Sequence, residues 1–160
     1  MEHYKKRRIL FFLWSCISLV ICVVIFLFSS QDGIASGNAS ESVTRRVFAF
    51  VLDEKSIYIL EKIIRKAAHY FIYFCLGIST CLALSYFYEG FLYKNIQFTN
   101  RLLYSGAFCF LYSLTDEYHQ SFIPGRNGSF YDCLLDTAGA LGGIVFVSSI
   151  TYFISKCIKK

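Results

Sequence analysis

Hydrophobic positions along this chain fall into four blocks divided by short polar stretches, and the length of each block predicts its element. Residues 9–28 (ILFFLWSCISLVICVVIFLF) hold no charge, and at about 1.5 Å per residue such a run is about 30 Å long, the thickness of a bilayer core. The apolar region of a signal peptide usually covers about 7–15 residues before a small-residue cleavage site, so a retained first span is expected instead. Residues 67–88 form the second block, with His69 as its only strongly polar group. The third, 102–115, is 14 residues long, or about 21 Å of helix, too short for a core of about 30 Å. Its span is therefore extended to residue 120. The fourth, 133–154, carries Gly139 and Gly143 at GxxxG spacing beside Ala138 and Gly142. Small residues at that interval let helices approach closely, which predicts that this helix is central to the bundle.

The segments between the blocks refine this pattern. Residues 29–38 (SSQDGIASGN) are polar, with glycines that end the first helix. Over 42–52, Val43, Val47, Phe50 and Val51 recur at helical spacing with Arg45 and Arg46 off the stripe, which predicts an amphipathic helix at the interface. A second lead-in sets Ile57, Leu60, Ile64 and Ala67 against Glu61, Lys62, Arg65 and Lys66, and is expected to run into the second span. Pro124, Gly125, Asn127 and Gly128 mark a turn. The expected fold is all-α: an integral membrane bundle of four transmembrane helices, with one or two interfacial amphipathic helices between spans 1 and 2. The expected organisation is a basic N-terminus at 1–8, one membrane domain at 9–154 with spans at 9–28, 67–88, 102–120 and 133–154, and a basic tail at 155–160.

Composition supports a membrane setting. Of 160 residues 56% are hydrophobic, one is proline, and the mean hydropathy is +0.49, far from a typical soluble domain. The net charge of +5 does not imply nucleic acid, because the basic residues flank apolar runs as membrane anchors do. None of the seven cysteines forms a CxxC pair, so neither a zinc ribbon nor a disulfide framework is indicated. With four spans, Lys5, Lys6, Arg7, Arg8, Lys94, Arg101, Lys156, Lys159 and Lys160 share one side, nine of the 16 Lys and Arg. The four basic residues before the first span have no counterpart just after it, which predicts cytoplasmic termini.

This topology brings separate polar groups to one depth on the outer side. Arg65, Lys66 and His69 stand at the mouth of the second span, Asp116 to Gln120 at the end of the third, and Asp132 and Asp136 at the start of the fourth. Ionisable groups are costly inside a membrane and mark functional sites. Asp116 is three and four residues from His119 and Gln120, so a carboxylate-supported imidazole suited to acid/base work is expected, with His119 or His69 as the base. Arg126, between glycine and asparagine turns, suits a phosphate or carboxylate, or a latch to Glu117 or Asp132. Asp132 and Asp136 also fit an acidic first helical turn with Asp132 as cap. Asp116, Glu117, His119, His69 and Asp132 include acceptable zinc ligands, but the spacing matches neither HExxH nor another metal motif, so no metal and no cofactor is assigned. The candidate site is thus Asp116, His119 and His69 for chemistry, with Lys66, Glu117, Gln120, Arg126, Asp132 and Asp136 for binding.

Three stretches, FSSQ at 28–31, RKAAHYFIYFCLG at 65–77 and DEYHQSFIPGRNGSFYDCLLDTAGALGG at 116–143, resemble the VanZ-like membrane proteins, with the DE-x-H-Q…PGR…D-x-x-x-D run as the most specific part. The resemblance places Lys66, His69, Asp116, Glu117, Gln120, Arg126 and Asp132 on the family's characteristic polar positions, and Asp136 where members carry Asn or Asp. It implies a bacterial cell-membrane protein of envelope chemistry, the family being named for low-level teicoplanin resistance, but it supplies no reaction. The expected partners are the lipid bilayer and an anionic lipid-linked precursor or lipoglycopeptide. Turnover of such a lipid by an intramembrane hydrolase or transferase, and a structural partner-binding role, are the alternatives. Oligomeric state is not specified by the sequence.

Overall fold

The computed structural model describes residues 1–31 and 53–158, so the amphipathic helix expected at 42–52 lies outside the described residues. Among the described residues there are four helices and no strand: α1 Glu2–Ser29, α2 Glu54–Phe91, α3 Phe98–Gln120 and α4 Phe130–Ile158. The basic N-terminus is not a separate segment but the first turns of α1, and α4 continues into the basic tail. The second lead-in runs straight into the second span, as expected, so it does not count as a further interfacial helix. No glycine or proline interrupts residues 54–76, so the helix propagates unbroken through 38 residues. At about 1.5 Å per residue it is about 57 Å long, well beyond a bilayer core of about 30 Å, and its charged first turns lie past the apolar section.

Among the described residues three helices are long and apolar enough to cross a membrane: Glu2–Ser29, Glu54–Phe91 and Phe130–Cys157. The expectation of four transmembrane helices is met in part, with α3 as the exception. That helix has 23 residues, enough for about 34 Å, but Arg101, Asp116, Glu117, His119 and Gln120 make it too polar by composition. Asp116, Glu117 and Gln120 are nevertheless buried, turned into the bundle.

Contacts fix an alternating arrangement. Arg8 meets Gly90 and Ser18 meets Ser79, so α1 and α2 are antiparallel. Gly106 meets Leu141 while Ser113 meets Asp136, so α3 and α4 are antiparallel as well. Lys66 meets Asp132 and Cys81 meets Ser148, which makes α2 and α4 parallel. The most extensive packing is that of α2, against α1 and α4 above all, whereas the GxxxG pattern had placed α4 at the centre. The small residues of α4 instead form a seam with α2. A Cβ at Gly139 would collide with the Tyr70 carbonyl, one at Gly143 with the Phe74 carbonyl, and one at Gly77 of α2 with the Ala140 carbonyl. Close backbone approach of this kind drives association where lipid removes the hydrophobic drive between helices.

Around the seam Ile25, Tyr73, Leu76, Cys109 and Ala140 form one buried cluster, and Cys81, Ile144 and Val147 a second. Phe12, Leu19, Phe71, Leu103, Phe146 and Phe153 are exposed, while Ser18, Ser79 and Ser113 are buried. An apolar exterior over hydroxyl-bonded contacts, such as Ser18 Oγ to Ser79 Oγ at 2.9 Å, is what lipid as a solvent selects. All seven cysteines are free thiols.

Candidate functional site

Because α2 and α4 run parallel, their first turns lie at the same end of the bundle, where α1 and α3 finish. Lys66 of α2 forms an ion pair with Asp132 of α4, both partly exposed. One turn deeper, His69 Nδ1 lies 3.8 Å from Asp136 Oδ2, and Asp136 is 1% exposed. The same carboxylate oxygen is 3.4 Å from the Ser113 hydroxyl of α3. The other oxygen, Oδ1, is buried without a hydrogen-bond partner.

Helix α3 contributes a buried arc. At about 100° per residue, Ser113, Gln120 and Glu117 fall within about 100° of Asp116 on one flank, while His119 falls about 60° away on the other. Gln120 Nε2 donates to Asp116 Oδ2 at 3.1 Å and lies 3.4 Å from Glu117 Oε1 and 3.3 Å from Ser29 Oγ. His119 faces α1 instead: its ring stacks on Phe26 at 4.8 Å, and Nε2 is 3.1 Å from Ser30 Oγ. Asp116 thus meets Gln120 of its own helix, and the imidazole beside it comes from α2. One ligand atom each from His69, Asp116 and Asp136 lies within 4.8 Å of the others. Two like charges about 4 Å apart repel by about 4 kcal/mol at an effective dielectric of 20, so this group calls for a shared proton or a cation.

The connection between α3 and α4 is drawn tightly onto the site. A Cβ at Gly128 would collide with the Glu117 carbonyl, and this close passage lets the Ser129 N–H donate to Glu117 Oε2 at 2.9 Å. Ser129 also caps α4, since its Oγ accepts from the Tyr131 N–H; Asp132 stands within the first turn rather than at the cap. Arg126 crosses to α1, where Nη2 donates to the Phe28 carbonyl at 2.9 Å, one of the carbonyls a helix end leaves unsatisfied. Burial, reinforced by the nearby Arg65 charge, lowers the Arg126 pKa below its ordinary value.

Between α1, α2 and this loop lies a cavity of about 180 Å³ lined by Ile25, Phe28, Arg65, Ala68, His69, Ile72 and Arg126. The Nε atoms of Arg65 and Arg126 are both buried without a hydrogen-bond partner among the described residues. A larger cavity of about 490 Å³ at mid-bundle, lined by Phe11, Leu19, Leu84, Phe87, Phe108 and others, has no charged group on its walls. It offers room without chemistry, and the smaller cavity is the candidate site.

Eight of the nine sequence-predicted residues converge on this end, in two tiers. His69, Asp116, Glu117, Gln120 and Asp136 are inner; Lys66, Arg126 and Asp132 are outer. His119 is at the same level but turned to α1. Arg65, Ser29, Ser113 and Tyr73 were not among the assigned residues. Ser113 was detectable at three residues before Asp116, on the same helix face, and Ser29 within FSSQ. Tyr73, four residues beyond His69, is indistinguishable from a core aromatic without the neighbouring helices.

Residues 13–152 match the VanZ/LLP1 family model. No curated protein and no solved structure matches the chain.

Proposed function

The chain belongs to the VanZ/LLP1 family, and from that premise we propose that it is a four-pass bacterial cell-membrane protein that holds the anionic head group of an amphiphilic envelope molecule. The ligand class is a lipid-linked precursor or a teicoplanin-type lipoglycopeptide. The observation that carries this reading is the cavity in which the two guanidiniums of Arg65 and Arg126 stand beside His69, each with an Nε donor unused among the described residues. Guanidinium donors suit phosphate and carboxylate oxygens bidentately, and a buried donor left unmatched is costly until a ligand accepts from it. At about 180 Å³ the cavity is smaller than the roughly 300–1,000 Å³ of pockets that enclose whole drug-sized ligands. It takes a head group and leaves the apolar part against Phe28 and the surrounding lipid.

In this reading α3 is the fourth span, its carboxylates turned inward where protein rather than lipid surrounds them. The basic first turn of α1 anchors both termini in the cytoplasm, which directs the polar end outward. The test is direct. Cells producing equal amounts of intact protein, Arg65→Ala or Arg126→Ala are compared for teicoplanin susceptibility, and the purified proteins for retention of lipid-linked precursor. Loss of both in the variants supports the reading; unchanged retention and susceptibility in a strain where the intact protein matters would sink it. A second reading, turnover of the bound lipid, draws on His69, which lines the cavity while lying beside Asp136. Product formed from labelled precursor by intact protein but not by His69→Ala would select it.

A further inference from the structure

We propose that His69, Asp116 and Asp136 form a binding site for a first-row divalent cation, Zn²⁺ or Mn²⁺, that joins α2, α3 and α4 at the polar end of the bundle. The three donors come from three helices, and their ligand atoms lie within 4.8 Å of one another. The His69 Nδ1 to Asp136 Oδ2 separation of 3.8 Å is too long for a hydrogen bond. It fits two ligands of one ion, because metal bonds of about 2.0–2.2 Å on each side place donors about 3–4 Å apart.

A second observation points the same way. Asp116 and Asp136 are 4% and 1% exposed, yet each keeps one carboxylate oxygen, Oδ1, without a hydrogen-bond partner. The Tyr73 hydroxyl of α2 is also buried without a hydrogen-bond partner of good geometry among the described residues. Buried polar atoms are nearly always satisfied, and two unsatisfied carboxylate oxygens belong to the two acids grouped with this imidazole. A cation neutralises both carboxylates at once, which a water molecule does not. One imidazole with two carboxylates suits zinc or manganese, whereas the hard-ion sites of magnesium and calcium are built from oxygens alone. The usual sequence motifs place ligands on one helix or one loop; here each helix supplies a single ligand, so no motif announces the site. The inference stands apart from the identity of the anion held by Arg65 and Arg126.

The full-length protein in lipid nanodiscs is stripped with chelator, incubated with ZnCl₂ or MnCl₂ alone, desalted, and assayed for metal per chain by mass spectrometry. About one ion per chain is expected, with at least about a tenfold loss of affinity in His69→Ala and in Asp136→Asn, and full retention in Glu89→Gln at the opposite end. Failure of the intact protein to retain either metal overturns the proposal, as does wild-type retention by both variants. Should the variants not fold, electron paramagnetic resonance of a Cu²⁺-loaded wild-type protein decides. Nitrogen hyperfine coupling from one imidazole supports the site, and its absence refutes it. Anion retention is assayed on the same samples, so that loss of metal with anion binding intact, or the reverse, separates this site from the arginine cavity.

Discussion

Arg7 and Arg8 at one end of the bundle, and Arg65 and Arg126 at the other, are both pairs of guanidiniums beside helix ends, but they are used differently. Arg7 Nη1 meets Glu89 at 3.0 Å and its guanidinium covers the Tyr86 ring. Arg8 donates to the Gly90 carbonyl and the Tyr93 hydroxyl, both at 3.0 Å, and covers Phe91. At the other end Arg126 makes a bond to the Phe28 carbonyl, while both Nε donors and two carboxylate oxygens, on Asp116 and Asp136, stay unmatched among the described residues. Arg101 Nε is an unmatched donor near the first end, but the carboxylate there, Glu89, is paired. One end therefore functions as a closed anchor. The other keeps donors and acceptors in reserve, an arrangement that costs free energy and that the proposed ligand would offset.

The largest effect on this contrast is expected from Gly143→Val. The side chain would run into the Phe74 carbonyl, parting α2 from α4 and dispersing the polar end while α1 and α2 keep their own contacts. A destabilisation of about 3 kcal/mol or more is expected, read as loss of monodisperse protein and a lower Tm in detergent; an unchanged Tm would deny the seam its role. Next comes binding. Arg65→Ala and Arg126→Ala should each weaken retention of an anionic amphiphile about 10- to 100-fold, the range of a charged hydrogen bond worth about 1.5–3 kcal/mol, whereas Arg7→Ala should leave it unchanged. Equal losses at both ends, measured by native mass spectrometry of lipid-loaded protein, would erase the distinction.

Arg8→Ala tests the anchor. Its two partly exposed hydrogen bonds and ring contact predict about 1–2 kcal/mol of lost stability, seen in thermal unfolding, with anion retention intact. The smallest change is expected for Lys66→Ala. Its ion pair with Asp132 is partly exposed, and such pairs contribute about 0–1 kcal/mol. A larger loss of stability on removing Lys66 would mean that the outer tier, too, supports the fold.

Much of the helical architecture was legible because apolar run length and interrupting residues govern it. The boundaries shifted where the signal was weaker. The lead-in at 57–67 runs into the second span as expected, because a charged face does not stop a helix that has no breaker, and only the count of interfacial helices changes. For α3 the helix does continue past its short apolar run to Gln120, but its burial pattern depends on which neighbours shield the polar arc. Within the site, depth was readable from the alternation of spans, which put residues 65–69, 116–120 and 132–136 at one end. Partners were less so: the i, i+3 spacing of Asp116 and His119 is compatible with contact, and the rotation of α3 against α1 took His119 to Phe26.

The sequence by itself determined that this chain forms long apolar helices, that its ionisable groups cluster at particular helix ends, and which family it belongs to, because these follow from local composition and order. Tertiary structure decided that α2 is the hub, since backbone approach at Gly77, Gly139 and Gly143 depends on how two surfaces fit. It also decided that His69, Asp116 and Asp136 face one another while His119 does not. Each of those donors sits alone on its helix, and only the mutual rotation of α2, α3 and α4 brings them to one point.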